Sequence, residues 1–527
     1  MVSSLKNRLT LKYFFSLFTD ENLTKKASLN VLGAMLEYGA RMVVGLVINP
    51  YMVSGLGDYL YGVLQILGRL TLYMSAASGR PTQALKWIIA QQQSSVDFEK
   101  KRRNVGSALI VWSIFVPILS VLGGLLVWFA PAWLNAPKEV VWIVRVSAAI
   151  MSIDLILTTL ADIPQSTLQG ENLSYKRMGP STLIVLIVGG GFTAIALYFR
   201  TGLIGVVAAD LAYTLVAGGF FLYLAKKTIL WFGIAKPSIS EIRSFLRLSW
   251  WFLIWRLIDQ LMMSSDIIVL GQLVSVASVT TYTLTKYVPE TLISLVAIVT
   301  TGITPGLGGV IGEGDYKKAG RIRDELMVGT WFIATIVGTT TLLWEQHFIK
   351  LWVGQEYYVS NIATLMIIVM VIQFVFIKND ASLIDLSLDL RYKVVVGTVS
   401  AILSILFAAV FLWFFKWGIV GLCLGFIAGR IILSLGYPWF NGRLLGMSFV
   451  SQLRGIVRPT IVMCLMFGLA VWMGKFWAVN DWINLILAVG FTIVFVAPIA
   501  FYAGLSNKQR TNLLERIGMA LKLQSTK

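Results

Sequence analysis

Runs of about 20 predominantly apolar residues recur from near the start of this 527-residue chain to near its end. A run of that length is what an α-helix needs to cross the hydrocarbon core of a bilayer. Inside hydrocarbon each backbone N–H and C=O must find its partner within the protein, so spanning segments are helices or closed barrels. The runs here are twice as long as barrel strands require. Composition agrees: 57% of residues are hydrophobic and 13% charged, about half the charged share of a soluble domain. The chain reads as an all-α integral membrane protein.

Apolar windows separated by charged loops place spans near 27–50, 59–79, 105–130, 140–163, 179–199, 202–225, 248–270, 280–307, 324–345, 358–378, 394–415, 418–437, 456–474 and 482–504, about 14 transmembrane helices in all. The net charge of +18 belongs to short loops, where it fixes orientation and gives no reason to expect nucleic acid. With both termini cytoplasmic, most lysines and arginines fall on the cytoplasmic side. Only Lys138, Arg200, Lys350, Lys416 and Lys475 fall in the opposite loops. The first apolar patch, Tyr13 to Phe18, is too short for a secretory signal and is followed by Asp20, Glu21, Lys25 and Lys26. Residues 1–24 therefore read as an amphipathic segment at the cytoplasmic interface.

The chain also repeats itself. FEKKRR from Phe98 matches YKKAGR from Tyr316 at an offset of 218. NLSYKRMG with Tyr175 and Lys176 matches DLRYKVVV with Tyr392 and Lys393 at 217, and GLIG from Gly202 matches GIVG from Gly418 at 216. The period is six spans, and an even number keeps both copies the same way up, which makes the repeat parallel. The expected organisation is an N-terminal lobe over 25–247 and a C-terminal lobe over 248–440, each of six helices. Two extra helices over 441–505 and a basic cytoplasmic tail over 506–527 complete it.

A charge at mid-bilayer costs about 2.5–3.5 kcal/mol on insertion scales, so charges within spans face protein or water. Glu37 and Arg41 lie four apart on one face of the first span, and Arg69 sits midway along the second without an acid within a turn. Arg256, Asp259 and Asp266 fall within about 80° of one another on the seventh span at 100° per residue. Lys286 and Glu290, four apart, enter the eighth, while Asp154, Asp210, Arg145 and Arg430 are scattered. The helices that open each lobe thus carry charge. Arg41, Arg69, Arg256, Lys286 and Glu37 are candidate substrate-binding residues, and arginine suits phosphate because its planar fork binds two oxygens. Asp154, Asp259 and Asp266 are candidates for ion coupling. Glu37–Arg41, Arg256–Asp259 and Lys286–Glu290 also read as self-neutralised pairs that seal packing, and Lys378 as a side chain reaching the headgroups. Cys423, Cys464 and His347 form no metal-ligand pattern, and no cofactor is expected.

The stretches LQGENLSYKRMG (Leu168–Gly179), GLIGVVAADLAY (Gly202–Tyr213), GEGDYKKAGRIRDE (Gly312–Glu325) and IKLWVGQEYY (Ile349–Tyr358), with a six-plus-six-plus-two helix count, resemble the multidrug/oligosaccharidyl-lipid/polysaccharide exporter superfamily in its O-antigen-type polysaccharide flippase branch. The resemblance implies a transporter in the bacterial inner membrane that flips an undecaprenyl-diphosphate-linked oligosaccharide through a cationic central cavity by alternating access. It implies membrane lipids as surroundings and polysaccharide polymerase or export machinery as candidate partners. One chain carries both lobes, so a monomer suffices. Arg41 and Arg69 stand where related flippases carry cavity arginines, whereas Glu37, Asp259 and Asp266 make this chain mixed in sign. A multidrug or organic-cation antiporter of the same superfamily is the alternative. A membrane-embedded glycosyltransferase or polymerase fits less well, because every outer loop is short, and the chain reads as a non-enzyme.

Overall fold

A computed structural model describes residues 23–512 and 514, apart from 93–94, 172, 313, 387–389, 475 and 478; some further side chains, that of Arg256 among them, lie outside the described set. Most of the expected interfacial segment at 1–24 and most of the tail also fall outside it. The described residues form α-helices without a strand: α1 (Leu23–Ala76), α2 (Pro81–Gln91), α3 (Phe98–Trp133), α4 (Val141–Gly170), α5 (Ser174–Ile184), α6 (Gly191–Tyr198) and α7 (Gly202–Thr228). There follow α8 (Ile239–Leu273), α9 (Val276–Gly312), α10 (Tyr316–Trp352), α11 (Asn361–Leu386), α12 (Leu390–Trp413), α13 (Gly418–Leu445), α14 (Phe449–Met473) and α15 (Trp482–Ile499). A π-helical turn, Val185–Gly190, joins α5 to α6, and another, Ala500–Gly504, ends α15.

Eleven of these segments are long and apolar enough to cross a membrane. One of them, Leu36–Ala76, has 41 residues, about 60 Å at 1.5 Å per residue, twice the hydrocarbon thickness. It is broken at Gly57, whose φ of 74° is the left-handed backbone that glycine adopts at no steric cost. The break falls between the first two expected spans. The segments α8 and α9 are not among the eleven, and each contains side chains outside the described set. Fourteen spans are consistent with this helix order.

Two features depart from the sequence reading. The charged stretches at Lys100–Arg103 and Lys317–Arg323, expected as loops, are the first turns of α3 and α10. Each start is capped alike: the Asp97 carboxylate accepts from the Lys100 N–H at 2.9 Å, and Asp315 accepts from Lys318 at 3.0 Å. Such caps satisfy amides that the helix leaves orphaned. The second departure is α2, where a loop was expected. Left-handed Gly79 and Arg80 turn the chain, Pro81 opens the helix, and Ala84, Leu85 and Ile89 are buried with Val105, Ala108 and Ile163.

The chain divides into two compact units, Met1–Leu257 and Ile258–Lys527. The division falls within α8, ten residues beyond the expected lobe boundary. Phe245 is buried in a core cluster of unit 1, whereas Ile258, Met262 and Ile267 are buried in unit 2. Local structure recurs between the units. Besides the caps, Arg200 (φ 52°) and Lys416 (φ 53°) are left-handed, and each precedes by two residues a left-handed glycine, Gly202 or Gly418. In unit 1 the buried Lys101 of α3 bonds Glu171 beyond α4 at 2.9 Å, and the Trp231 indole donates to the same carboxylate at 3.0 Å. In unit 2 the buried Arg323 of α10 bonds Asp380 of α11 at 2.7 Å.

Helix packing in hydrocarbon draws little on the hydrophobic effect and relies on close backbone approach over small residues. In unit 2, α13 presents Gly421, Gly425 and Gly429, at four-residue spacing, to Phe411, Ala408 and Ser404 of α12. A Cβ on Gly425 would run into the Ala408 backbone, and one on Gly429 into that of Ser404. The Ser400 hydroxyl crosses the seam to the Gly429 carbonyl at 3.0 Å. Gly425→Leu is expected to force this seam apart at a cost of at least the ~1–3 kcal/mol typical of overpacking. Fluorescence-detected size exclusion would show loss of the monodisperse peak, and an unchanged peak and thermal midpoint would refute the packing role.

Candidate transport site

Unit 1 gathers charge on three helices. On α1, Arg41 bonds Glu37 one turn away at 3.0 Å and also donates to the Tyr213 hydroxyl of α7 at 3.4 Å. The Glu37 side chain is 14% exposed and that of Arg41 54%. The Tyr213 ring lies beside Gly189 of the π turn, where an added Cβ would be 3.5 Å away. Such π turns recur at functional sites. Arg69, in the second half of α1, is half-buried and already engaged in an interaction.

Next to Tyr213 stands a pair of acids. Thr158 of α4 and Thr214 of α7 touch through their hydroxyls at 3.3 Å. Asp154 precedes Thr158 by four residues and Asp210 precedes Thr214 by four. Residues four apart share a helix face, so each carboxyl lies one turn from the hydroxyl contact. Asp154 reaches Thr214 and lies within electrostatic range of Asp210. One oxygen of Asp154, Oδ1, is buried without a hydrogen-bond partner. Among the described residues no lysine or arginine bonds either acid.

Unit 2 is arranged differently. Asp266 of α8 is 1% exposed and accepts from Lys286 at 2.5 Å and from Tyr282 at 2.6 Å, both on α9. Asp259 takes Lys378 of α11 as its partner. Asp385 takes Lys393 at 2.5 Å, and Asp380 takes Arg323. Arg430 of α13 donates to the Met262 carbonyl at 2.5 Å and lies between the Phe374 and Phe426 rings at 5.0 and 5.1 Å.

The expected pairs therefore sort unequally. Glu37–Arg41 forms as spaced. Lys286 crosses to Asp266 on the neighbouring helix, twenty residues away, and Asp259 is matched by Lys378. Lys378 thus ends on a carboxylate and not at the headgroups. Of the three ion-coupling candidates, Asp259 and Asp266 each hold a lysine, and Asp154 faces a second acid. Asp210 was left among the scattered charges, yet DLILT from Asp154 and DLAYT from Asp210 repeat one aspartate-to-threonine spacing that marks the pair. The side chain of Arg256 lies outside the described residues.

The family model described as polysaccharide biosynthesis protein matches residues 100–361. A comparison with curated proteins finds no match. Among solved structures, the lipid II flippase MurJ in an inward closed conformation matches with a TM-score of 0.66 at 14% identity, over 90% of this chain and 99% of that one. A MOP superfamily transporter from Pyrococcus furiosus, described as having a binding pocket of reverse polarity, matches with a TM-score of 0.61 at 15% identity, over 82% and 98%. An inward-facing multidrug resistance MATE transporter of the same superfamily matches at 0.59 and 16% identity, over 80% and 99%. This chain has the fold that these transporters share. It is a multi-pass membrane protein, with an acid pair and a half-exposed arginine in unit 1 and matched ion pairs in unit 2.

Proposed function

We propose that this protein carries an undecaprenyl-diphosphate-linked oligosaccharide across the bacterial inner membrane by alternating access of its two units, with both termini in the cytoplasm. The observation that carries the reading is Arg41, a guanidinium within a spanning segment that keeps about half its surface accessible. Held by Glu37 and Tyr213, it retains N–H donors beyond those bonds. A sugar diphosphate entering hydrocarbon loses the hydration of its charges and hydroxyls, a prohibitive cost unless protein groups replace it. The match to a polysaccharide biosynthesis family model and the fold shared with a lipid II flippase support this substrate class. No covalent step is required.

The test is flipping of a fluorescent undecaprenyl-diphosphate oligosaccharide in proteoliposomes, read as protein-dependent loss of leaflet protection. Arg41→Ala is expected to slow flipping about tenfold, the equivalent of one charge-assisted hydrogen bond of about 1.4 kcal/mol. Arg41→Lys should recover only part, because an ammonium lacks the two-pronged geometry, and Arg69→Ala tests the second arginine in the same assay. Unchanged flipping by Arg41→Ala and Arg69→Ala at normal protein levels would remove the phosphate-ligand role. The acid pair is the feature that favours the second reading, a cation-coupled antiporter of the same superfamily. Gradient-driven efflux of an organic cation, with no movement of lipid-linked sugars, would establish that reading instead.

A further inference from the structure

Unit 2 contains a cavity of about 1060 Å³, as large as the largest common small-molecule sites. It runs along α10 from Arg321 to Ile333 and is walled by α11, α13, the start of α14 and the chain from Ser506 to Asn512. Its interior is apolar, with Leu307, Phe376 and Leu433 among its walls. Its mouth lies at the lysine- and arginine-rich ends of the helices and carries both signs: Arg321 and Lys508 are exposed cations, Asp324 an exposed acid and Glu325 a half-buried one.

We propose that this cavity binds one zwitterionic aminophospholipid of the cytoplasmic leaflet. Its acyl chains fill the apolar interior. Its phosphate meets Arg321 and Lys508. Its primary ammonium has N–H donors, which suit Asp324 and Glu325. A choline headgroup has no N–H, and a polyprenyl phosphate has no ammonium. The site is separate from the cluster on α1, α4 and α7.

The test is native mass spectrometry of the purified full chain with added phosphatidylethanolamine, phosphatidylcholine or undecaprenyl phosphate. One ethanolamine lipid per chain should bind about tenfold more tightly than the choline lipid, a difference of one good hydrogen-bonded contact. Gly329 and Gly455 line the cavity, and a Cβ on either meets nothing within 4 Å. Gly329→Leu should therefore plug the space, and because leucine favours helix over glycine it should fold. Loss of about tenfold in ethanolamine-lipid binding, with an unchanged thermal midpoint without lipid, is the expected result. Gly455→Leu repeats the plug from another wall should the first variant misfold. Equal binding of choline and ethanolamine lipids, or full binding by both plugged variants, would overturn the proposal. So would tighter, plug-sensitive binding of undecaprenyl phosphate, which would give the cavity to a polyprenyl tail.

Discussion

Asp154→Asn and Asp210→Asn are each expected to abolish the response of transport to an ion gradient while leaving the protein folded. The two carboxyls stand one turn from the Thr158–Thr214 contact on α4 and α7, with no lysine or arginine bonded to either among the described residues. Two carboxyls within electrostatic range of one another disfavour double ionisation, and on that ground the pair is proposed to hold a proton or a small monovalent cation. A carboxamide keeps the size and the hydrogen-bonding reach to Thr214 and removes the charge. Folding should survive, because no buried cation is orphaned by the change. Flipping in proteoliposomes would be followed after a pH jump and, separately, a sodium jump. Native protein should respond to one of the two by about tenfold or more, equivalent to about 1.4 kcal/mol of coupling, and both variants to neither. Tyr213, three residues beyond Asp210, also bonds Arg41, so loading of the acids and occupancy of the arginine would be felt through one side chain. Variants that keep the native gradient response would sink this assignment.

The second large effect concerns Lys286. Its ammonium is 5% exposed and bonds an Asp266 carboxylate that is 2% exposed. Removing one member of such a pair leaves an uncompensated buried charge, at a cost of about 3–5 kcal/mol. Lys286→Ala is therefore expected to yield little folded protein, seen as lost monodispersity and a collapsed thermal midpoint. Asp266→Ala combined with Lys286→Ala should restore most of it, because two absent charges are tolerated better than one present. A stable, monodisperse Lys286→Ala that cannot flip substrate would instead make this lysine a ligand.

That last distinction shows where sequence spacing loses its reach. Periodicity along one helix identified Glu37 and Arg41 as neighbours, and they are. The same rule paired Lys286 with Glu290, because it sees only residues one turn apart. Lys286 and Lys378 found acids on other helices, a choice made by packing across the bundle. The helices themselves were legible because hydrocarbon tolerates almost no alternative, and the first kink fell where Gly57 supplies left-handed backbone. Short α2 was not legible: its eleven residues are too few for a span and fall between the expected spans 59–79 and 105–130. The cavity in unit 2 left no mark in the sequence either, since its walls come from segments as far apart as Leu307 and Asn512.

The left-handed turns at Arg200–Gly202 and Lys416–Gly418 bear on the history of the chain. They stand at one offset, between the fifth and sixth expected spans of each copy. Tandem duplication of a six-span gene explains them directly. An even-numbered ancestor joined to its own copy needs no inversion, so the fused product could insert at once with its existing loop charges. Thereafter the copies were free to diverge. One now holds two acids within electrostatic range of each other, and the other has matched Asp259, Asp266, Asp380 and Asp385 with lysines and an arginine.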